Sequence, residues 1–101
     1  MVNAALALPM AEIAAICRAY HVAELSLFGS ALREDFGTDS DLDFLVVFEP
    51  GARIGLLALG GLRRGLSDAT GRRVDLVPKV GLKPLIRDDV LASARLVYGA
   101  D

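Results

Sequence analysis

The sequence predicts an α/β (α+β) fold, in which a small mixed sheet of about three strands is flanked by helices. Segments with apolar residues at helical spacing alternate along the chain with short apolar runs that Gly and Pro end. Such alternation is typical of a sheet with helices packed against it. The length of 101 residues favours a single domain spanning residues 1–101.

The first helix is expected over residues 9–20, where apolar side chains recur at helical spacing and a proline suits the first position. A short buried strand follows over residues 25–28, and Gly29 ends it. Ser30 is a natural N-cap, which predicts a helical turn after it.

The strongest strand is expected over residues 41–48, which are almost continuously apolar after Asp43. Continuous hydrophobicity indicates burial on both faces, so we expect a central strand with helices packed over it. Residues 54–69 then carry a helical stripe that several glycines weaken, which predicts a broken helix, firm from about Leu62. Gly71 is its expected C-cap.

A third strand is expected over residues 73–77, followed by a last helix from Pro84 whose apolar positions extend to Val97 and Tyr98. The predicted order is therefore helix, strand, helix, strand, helix, strand, helix.

Composition excludes several classes of function. Eleven basic and thirteen acidic residues give a net charge of −2, and the chain has no Trp, which together argue against direct nucleic-acid binding. No run reaches the roughly 18 apolar residues that a membrane span needs, and no basic residue precedes Arg18 to form a signal peptide. The lone Cys17 excludes an internal disulfide and favours a cytoplasmic setting. The basic pairs at 63–64 and 72–73 are expected to be solvated helix ends and turns, with a partner-binding patch as the alternative.

The pair Gly29-Ser30 is a candidate anion site at the end of the first strand. Glycine lets a ligand approach the backbone closely, and a following helix offers unpaired N–H groups to an anion. Arg33, one turn further, can reach the same anion with its guanidinium. The alternative is that the pair forms only a turn.

Asp41 and Asp43 are candidate metal ligands. Alternate residues of a strand share a face, so the two carboxylates are expected to point together. Aspartates are disfavoured at the start of a buried strand, and two on one face repel each other. Mg²⁺ removes both problems, since it prefers carboxylate and phosphate oxygens. The alternative is that both lie at a solvent-exposed strand end and cap the preceding loop.

Asp75 is a third acid, placed in the interior of an apolar strand. If that strand pairs beside the strand of Asp41 and Asp43, the three carboxylates share a face and form a frame for two-metal phosphoryl chemistry. Asp75 is then the candidate to accept the proton of an attacking hydroxyl. The alternative is an exposed edge position.

The combination of Gly29-Ser30, ten intervening residues, Asp41-x-Asp43 and a later Val-Asp-Leu strand resembles the nucleotidyltransferase superfamily of the polymerase-beta type. The length and the segments GSALREDFGTDSDLDFLVVFEPG, GRRVDLV and LKPLIRDDVLASARLVYGAD look like the minimal nucleotidyltransferases, antitoxins of HEPN-domain toxins. The resemblance covers nearly the whole chain and implies a polymerase-beta-like nucleotidyltransferase fold.

The resemblance implies transfer of AMP from ATP, with release of pyrophosphate, to a tyrosine hydroxyl of a cognate HEPN ribonuclease toxin. Carried over residue by residue, Gly29-Ser30 and Arg33 hold the triphosphate. Asp41 and Asp43 ligate both Mg²⁺ ions, and Asp75 completes the set. Two other functions stay open at this point: an antitoxin that neutralises its toxin by binding alone, and a small-molecule nucleotidyltransferase acting with a partner subunit.

Overall fold

The computed structural model of the protein describes residues 8–29, 41–82 and 84–99, without the side chains at 86 and 87. In chain order, its helices and strands are α1 (Met10–Ala19), β1 (Val22–Phe28), β2 (Leu42–Phe48), α2 (Leu56–Thr70), β3 (Val74–Pro78), a 3₁₀ turn (Lys79–Gly81), α3 (Pro84–Ser93) and β4 (Arg95–Gly99).

The described strands form one mixed sheet in the order β3-β2-β1-β4. Strand β1 runs antiparallel to β2 and to β4, whereas β2 and β3 are parallel. The long connection through α2 makes the parallel pairing possible, because parallel neighbours need a crossover. The predicted mixed sheet with flanking helices is confirmed, and β2 is a central strand as expected.

Helices α1 and α2 pack on one face of the sheet and enclose the core. Leu42, Phe44 and Val46 of β2 are fully or almost fully buried there. Alternation along β2 sends Asp43, Leu45 and Val47 to the other side, which we call the second face of the sheet. The apolar core is therefore built on one face. The second face carries the acidic residues, at the end where β2 and β3 begin.

The last helix is shorter than the sequence predicted. It ends at Ser93, and residues 95–99 form β4, which pairs with β1 along the register Ser26 to Leu96 and Leu25 to Tyr98. The expectation that Val97 and Tyr98 belong to the helix is wrong. The free edge of β1 offers unpaired backbone groups, and β-branched and aromatic side chains favour a strand there. The sheet consequently has four strands.

Helix α2 is continuous from Leu56 to Thr70, although a break before Leu62 was expected. Two of its glycines, Gly61 and Gly65, are explained by close packing against α1 and its C-cap residue Tyr20. A Cβ on Gly61 would lie 2.5 Å from the Tyr20 hydroxyl, and one on Gly65 would lie 3.4 Å from Ile16. Small residues here let the two helices approach, and the contact offsets the lower helix propensity of glycine.

The predictions for the first helix and for the C-cap of α2 agree with the structure. The first helix spans Met10–Ala19, close to the expected 9–20, and Gly71 is the left-handed C-cap of α2 with φ of 70°. The helical turn expected after Ser30 lies outside the described residues. No helix in the described ranges is long and apolar enough to span a membrane.

Gly61→Ala is expected to destabilise the fold by about 1–3 kcal/mol, because overpacking forces Tyr20 to move. Gly60→Ala is the matched control, since a Cβ there meets only the flexible Arg64 side chain at 3.5 Å. That change should be neutral or stabilise by up to about 1 kcal/mol.

Urea unfolding of both variants, and of Gly61→Ala combined with Tyr20→Phe, measures the effect. Removal of the Tyr20 hydroxyl should restore part of the loss. Equal stabilities for the Gly60 and Gly61 variants would contradict the packing explanation.

Candidate active site

The carboxylates of Asp43 and Asp75 lie side by side on the second face of the sheet. Strands β2 and β3 are parallel, and their register places Asp43 opposite Asp75. Residues opposite each other in paired strands point to the same face. Asp41 precedes β2 by one residue and shares the phase of Asp43. The pairing that the sequence could only assume for Asp75 is therefore present.

Gly29 lies at the same end of the sheet. Because β1 is antiparallel to β2, its last residue, Phe28, pairs with Asp43. Gly29 has φ of +75°, in the left-handed region that favours glycine. A Cβ at this position would lie 2.5 Å from Oδ2 of Asp43. Only glycine lets the backbone turn so close to this carboxylate.

Arg73 supplies positive charge beside Asp41. Its Nε lies 3.9 Å from Oδ1 of Asp41, and its backbone oxygen accepts a hydrogen bond of 2.9 Å from the N–H of Leu42. The Arg73 side chain is 79% exposed, so the ion pair contributes little to stability. Sequence reasoning treated this residue as part of a solvated turn. Arg73 immediately precedes β3 and stands two residues before Asp75. That spacing is the signal that could have placed Arg73 at the site.

The three carboxylates differ in exposure. Asp41 and Asp43 are half-buried, whereas Asp75 is exposed on β3, an edge strand of the sheet. The exposed edge position considered for Asp75 thus describes its exposure correctly. The register with Asp43 adds that the exposed Asp75 borders the half-buried pair.

The chemistry of this donor set fits Mg²⁺. Carboxylate oxygens from two neighbouring strands are the hard ligands that Mg²⁺ prefers. In the described ranges, no group of three or more His, Cys, Asp or Glu side chains is arranged to hold a metal ion.

Two predicted triphosphate-binding residues, Ser30 and Arg33, lie outside the described residues. The structure therefore brings together Gly29, Asp43 and Asp75 directly, with Asp41 at the border of the group. These residues stand at one end of the sheet, where three strand ends meet.

A small mixed sheet with an Asp-x-Asp strand and a third acid on its parallel neighbour agrees with the resemblance to nucleotidyl-transferring enzymes. Residues 10–97 match the family model described as nucleotidyltransferase domain. The chain belongs to this nucleotidyltransferase family, and it is a nucleotidyltransferase.

Relatives and solved structures agree with this assignment. A Methanocaldococcus jannaschii protein named "Putative protein adenylyltransferase" is 34% identical over 82% of this chain and 87% of its own length. A solved structure described as a "putative minimal nucleotidyltransferase" is similar at 36% identity, with a TM-score of 0.71 over 85% of this chain and 86% of that one.

A second similar structure is a complex of a tri-AMPylated Shewanella oneidensis HEPN toxin with an MNT antitoxin. It matches at 22% identity and a TM-score of 0.65, over 90% of this chain and 70% of that one. At this identity the likeness concerns the fold, and the fold is that of a minimal nucleotidyltransferase.

Gly29→Ala is expected to abolish binding of Mg-ATP, because the added Cβ displaces the Asp43 carboxylate. Gly51→Ala is the matched control. Gly51 also has a positive φ, 84°, but a Cβ there meets nothing within 4 Å. Both changes strain the backbone by about 1–2 kcal/mol, so both should lower the melting temperature.

Isothermal titration with Mg-ATP separates the two effects. Retention of full affinity by a folded Gly29→Ala protein would show that the close approach to Asp43 has no role in binding.

Proposed function

We propose that the protein is a Mg²⁺-dependent adenylyltransferase that moves AMP from ATP to a tyrosine hydroxyl of a cognate HEPN ribonuclease toxin, and so acts as its antitoxin. The observation that carries the proposal is the register of Asp43 with Asp75 beside Gly29. Together these residues would offer carboxylates for metal and a glycine backbone for phosphate at one end of the sheet.

We propose a role for each site residue, and for Ser30 and Arg33 the role rests on the sequence resemblance. Asp41 and Asp43 would hold two Mg²⁺ ions, and Asp75 would share one of them. Bound Mg²⁺ neutralises negative charge on the triphosphate and lowers the pKa of an attacking hydroxyl. Gly29 and Ser30 would bind the β- and γ-phosphates through backbone N–H groups and the hydroxyl, and Arg33 would add a cation there.

The transfer step needs one proton acceptor. The tyrosine oxygen forms a bond to the α-phosphorus while the bond to the bridging oxygen of pyrophosphate breaks. The phenolic proton passes to Asp75, which is the exposed carboxylate of the set. Pyrophosphate leaves on the opposite side, because the displacement is in line. The products are the adenylylated tyrosine and pyrophosphate.

The acceptor is supported by two comparisons. The relative at 34% identity carries the name of a protein adenylyltransferase, and the HEPN toxin in the similar complex is AMPylated. We further propose that residues 1–101 act as one domain in the cytoplasm, without membrane or direct nucleic-acid binding. A net charge of −2 and the free, buried Cys17 support this setting.

Asp41→Asn combined with Asp43→Asn is expected to reduce transfer by about three orders of magnitude or more, because metal stabilisation of the transition state is worth several kcal/mol. Asp88→Asn with Asp89→Asn removes the same charge from exposed positions of α3 and is the control. Each protein is incubated with Mg-ATP and the product of the neighbouring gene, and the adenylate mass on that product is measured. Absence of adenylate with the active wild-type protein would refute this pairing.

Asp75→Asn is expected to lower kcat by roughly 10²–10⁴-fold, the range of general-base catalysis, while affinity for Mg-ATP changes only a few-fold. Asp68→Asn, on an exposed position of α2, is the control. Single-turnover rates and equilibrium titrations give the two quantities separately. A full rate for Asp75→Asn would remove Asp75 from the proton transfer.

A second candidate function is neutralisation by binding alone. Leu56, Leu57 and Val80 are 88%, 91% and 94% exposed at the end of the sheet away from the carboxylates, and apolar side chains of this exposure favour a protein contact. The Asp41 and Asp43 double variant distinguishes the functions. Full protection of cells from the toxin by that variant would favour occlusion, and loss of protection with intact binding favours adenylylation.

A further inference from the structure

A groove lies along the second face of the sheet. Its floor is formed by Leu45 and Val47 of β2, and Leu96 of β4 forms one wall. Ala94, between α3 and β4, closes it from above. The cavity volume is about 420 Å³, within the roughly 300–1,000 Å³ typical of small-molecule sites.

The groove begins close to the reacting centre. Leu45 follows Asp43 by two residues on the same face of β2, and Val47 follows by four. At the rise of a strand, these positions lie roughly 7 and 13 Å from Asp43. A molecule whose phosphate is at Asp43 would therefore lie in the groove if the rest of it extended along β2.

In-line transfer limits which part of the substrate can extend along β2 from the reacting phosphate. The attacking and leaving oxygens stand on opposite sides of phosphorus, so the sugar oxygen lies perpendicular to the line joining them. Here that line runs across the strand ends, from Gly29 beyond β1 to Asp75 on the edge strand β3. The perpendicular direction that follows β2 leads into the groove, whereas the acceptor approaches from the β3 side.

The polar groups of the groove suit an adenine. Glu24 is registered with Val47, and Lys79 follows β3 at the same level, so a carboxylate and an ammonium flank the far end. Adenine presents an amino donor beside a ring-nitrogen acceptor, which matches this pair, whereas the corresponding edge of guanine presents two acceptors. Ser26, registered with Leu45, offers a hydroxyl nearer the carboxylates, at the level of a ribose.

We infer that this groove binds the nucleoside part of the nucleoside triphosphate, with the base between Glu24 and Lys79. The inference rests on the proposed function for the position of the phosphates. The apolar floor contacts the base and ribose, and the two charged groups select adenosine over guanosine.

The test fills the groove without touching the carboxylates. Leu96→Trp keeps a strand-favouring residue on β4 and adds bulk at a position that is 51% exposed. Ala94→Phe fills the groove from the other side. Ala92→Phe is the matched control, because Ala92 is exposed on α3 and does not line the groove. Glu24→Ala, at an exposed position, changes the groove with little demand on folding.

Dissociation constants for Mg-ATP and for inorganic tripolyphosphate are measured by calorimetry on proteins with unchanged circular dichroism. The filling variants should bind Mg-ATP at least about tenfold more weakly, a loss of roughly 1.4 kcal/mol, and tripolyphosphate as the wild-type does. Glu24→Ala should reduce the preference for ATP over GTP. Ala92→Phe should match the wild-type.

Unchanged Mg-ATP affinity in both filling variants would overturn the groove assignment, as would a raised KM for the toxin with no effect on ATP. Equal weakening of ATP and tripolyphosphate would overturn it too. If ATP affinity depends on the groove but the wild-type transfers no adenylate, the nucleoside site stands and the proposed function fails.

Discussion

The parallel pairing of β2 with β3 is the constraint on which the rest of the structure depends. It sets Asp43 beside Asp75, and like charges on neighbouring strands destabilise a sheet. The cost is offset on the opposite face, where Leu42, Phe44 and Val46 are buried against α1 and α2. The same short strand therefore supplies core packing from one face and an acidic cluster from the other.

On each face of the sheet, a glycine allows the backbone to approach a neighbouring side chain closely. Gly61 lets α2 pack closely against Tyr20, the C-cap of α1, and so brings the two helices together over the core. Gly29 lets the backbone at the end of β1 turn close to the Asp43 carboxylate. In both places a methyl group would force neighbours apart. One contact concerns folding, and the other concerns the site.

The local sequence was sufficient to predict the strands that carry the aspartates. It was not sufficient to predict the edge strand β4 or the continuity of α2. Asp-x-Asp at the start of an apolar run has few structural explanations, so its place on a central strand was predictable, as was the strand of Asp75. Residues 95–99 were assigned to a helix because their apolar spacing fits a helix as well as a strand. Their strand conformation is decided by the free edge of β1, which is not a local property. The continuity of α2 likewise depends on Tyr20, which lies far away in the chain.

The misassigned segment has a functional consequence. With a helix continuing to Tyr98, the edge of β1 would be open and the second face would be a flat surface next to the acids. With β4 in place, Leu96 stands beside Ser26 and the end of α3 overhangs Leu45. The second face is therefore a groove rather than a flat surface, and the groove follows β2 on the same face as Asp43. Non-local pairing thus creates the concave shape of the proposed nucleoside site, whereas the carboxylates proposed to hold Mg²⁺ are already visible in the local sequence.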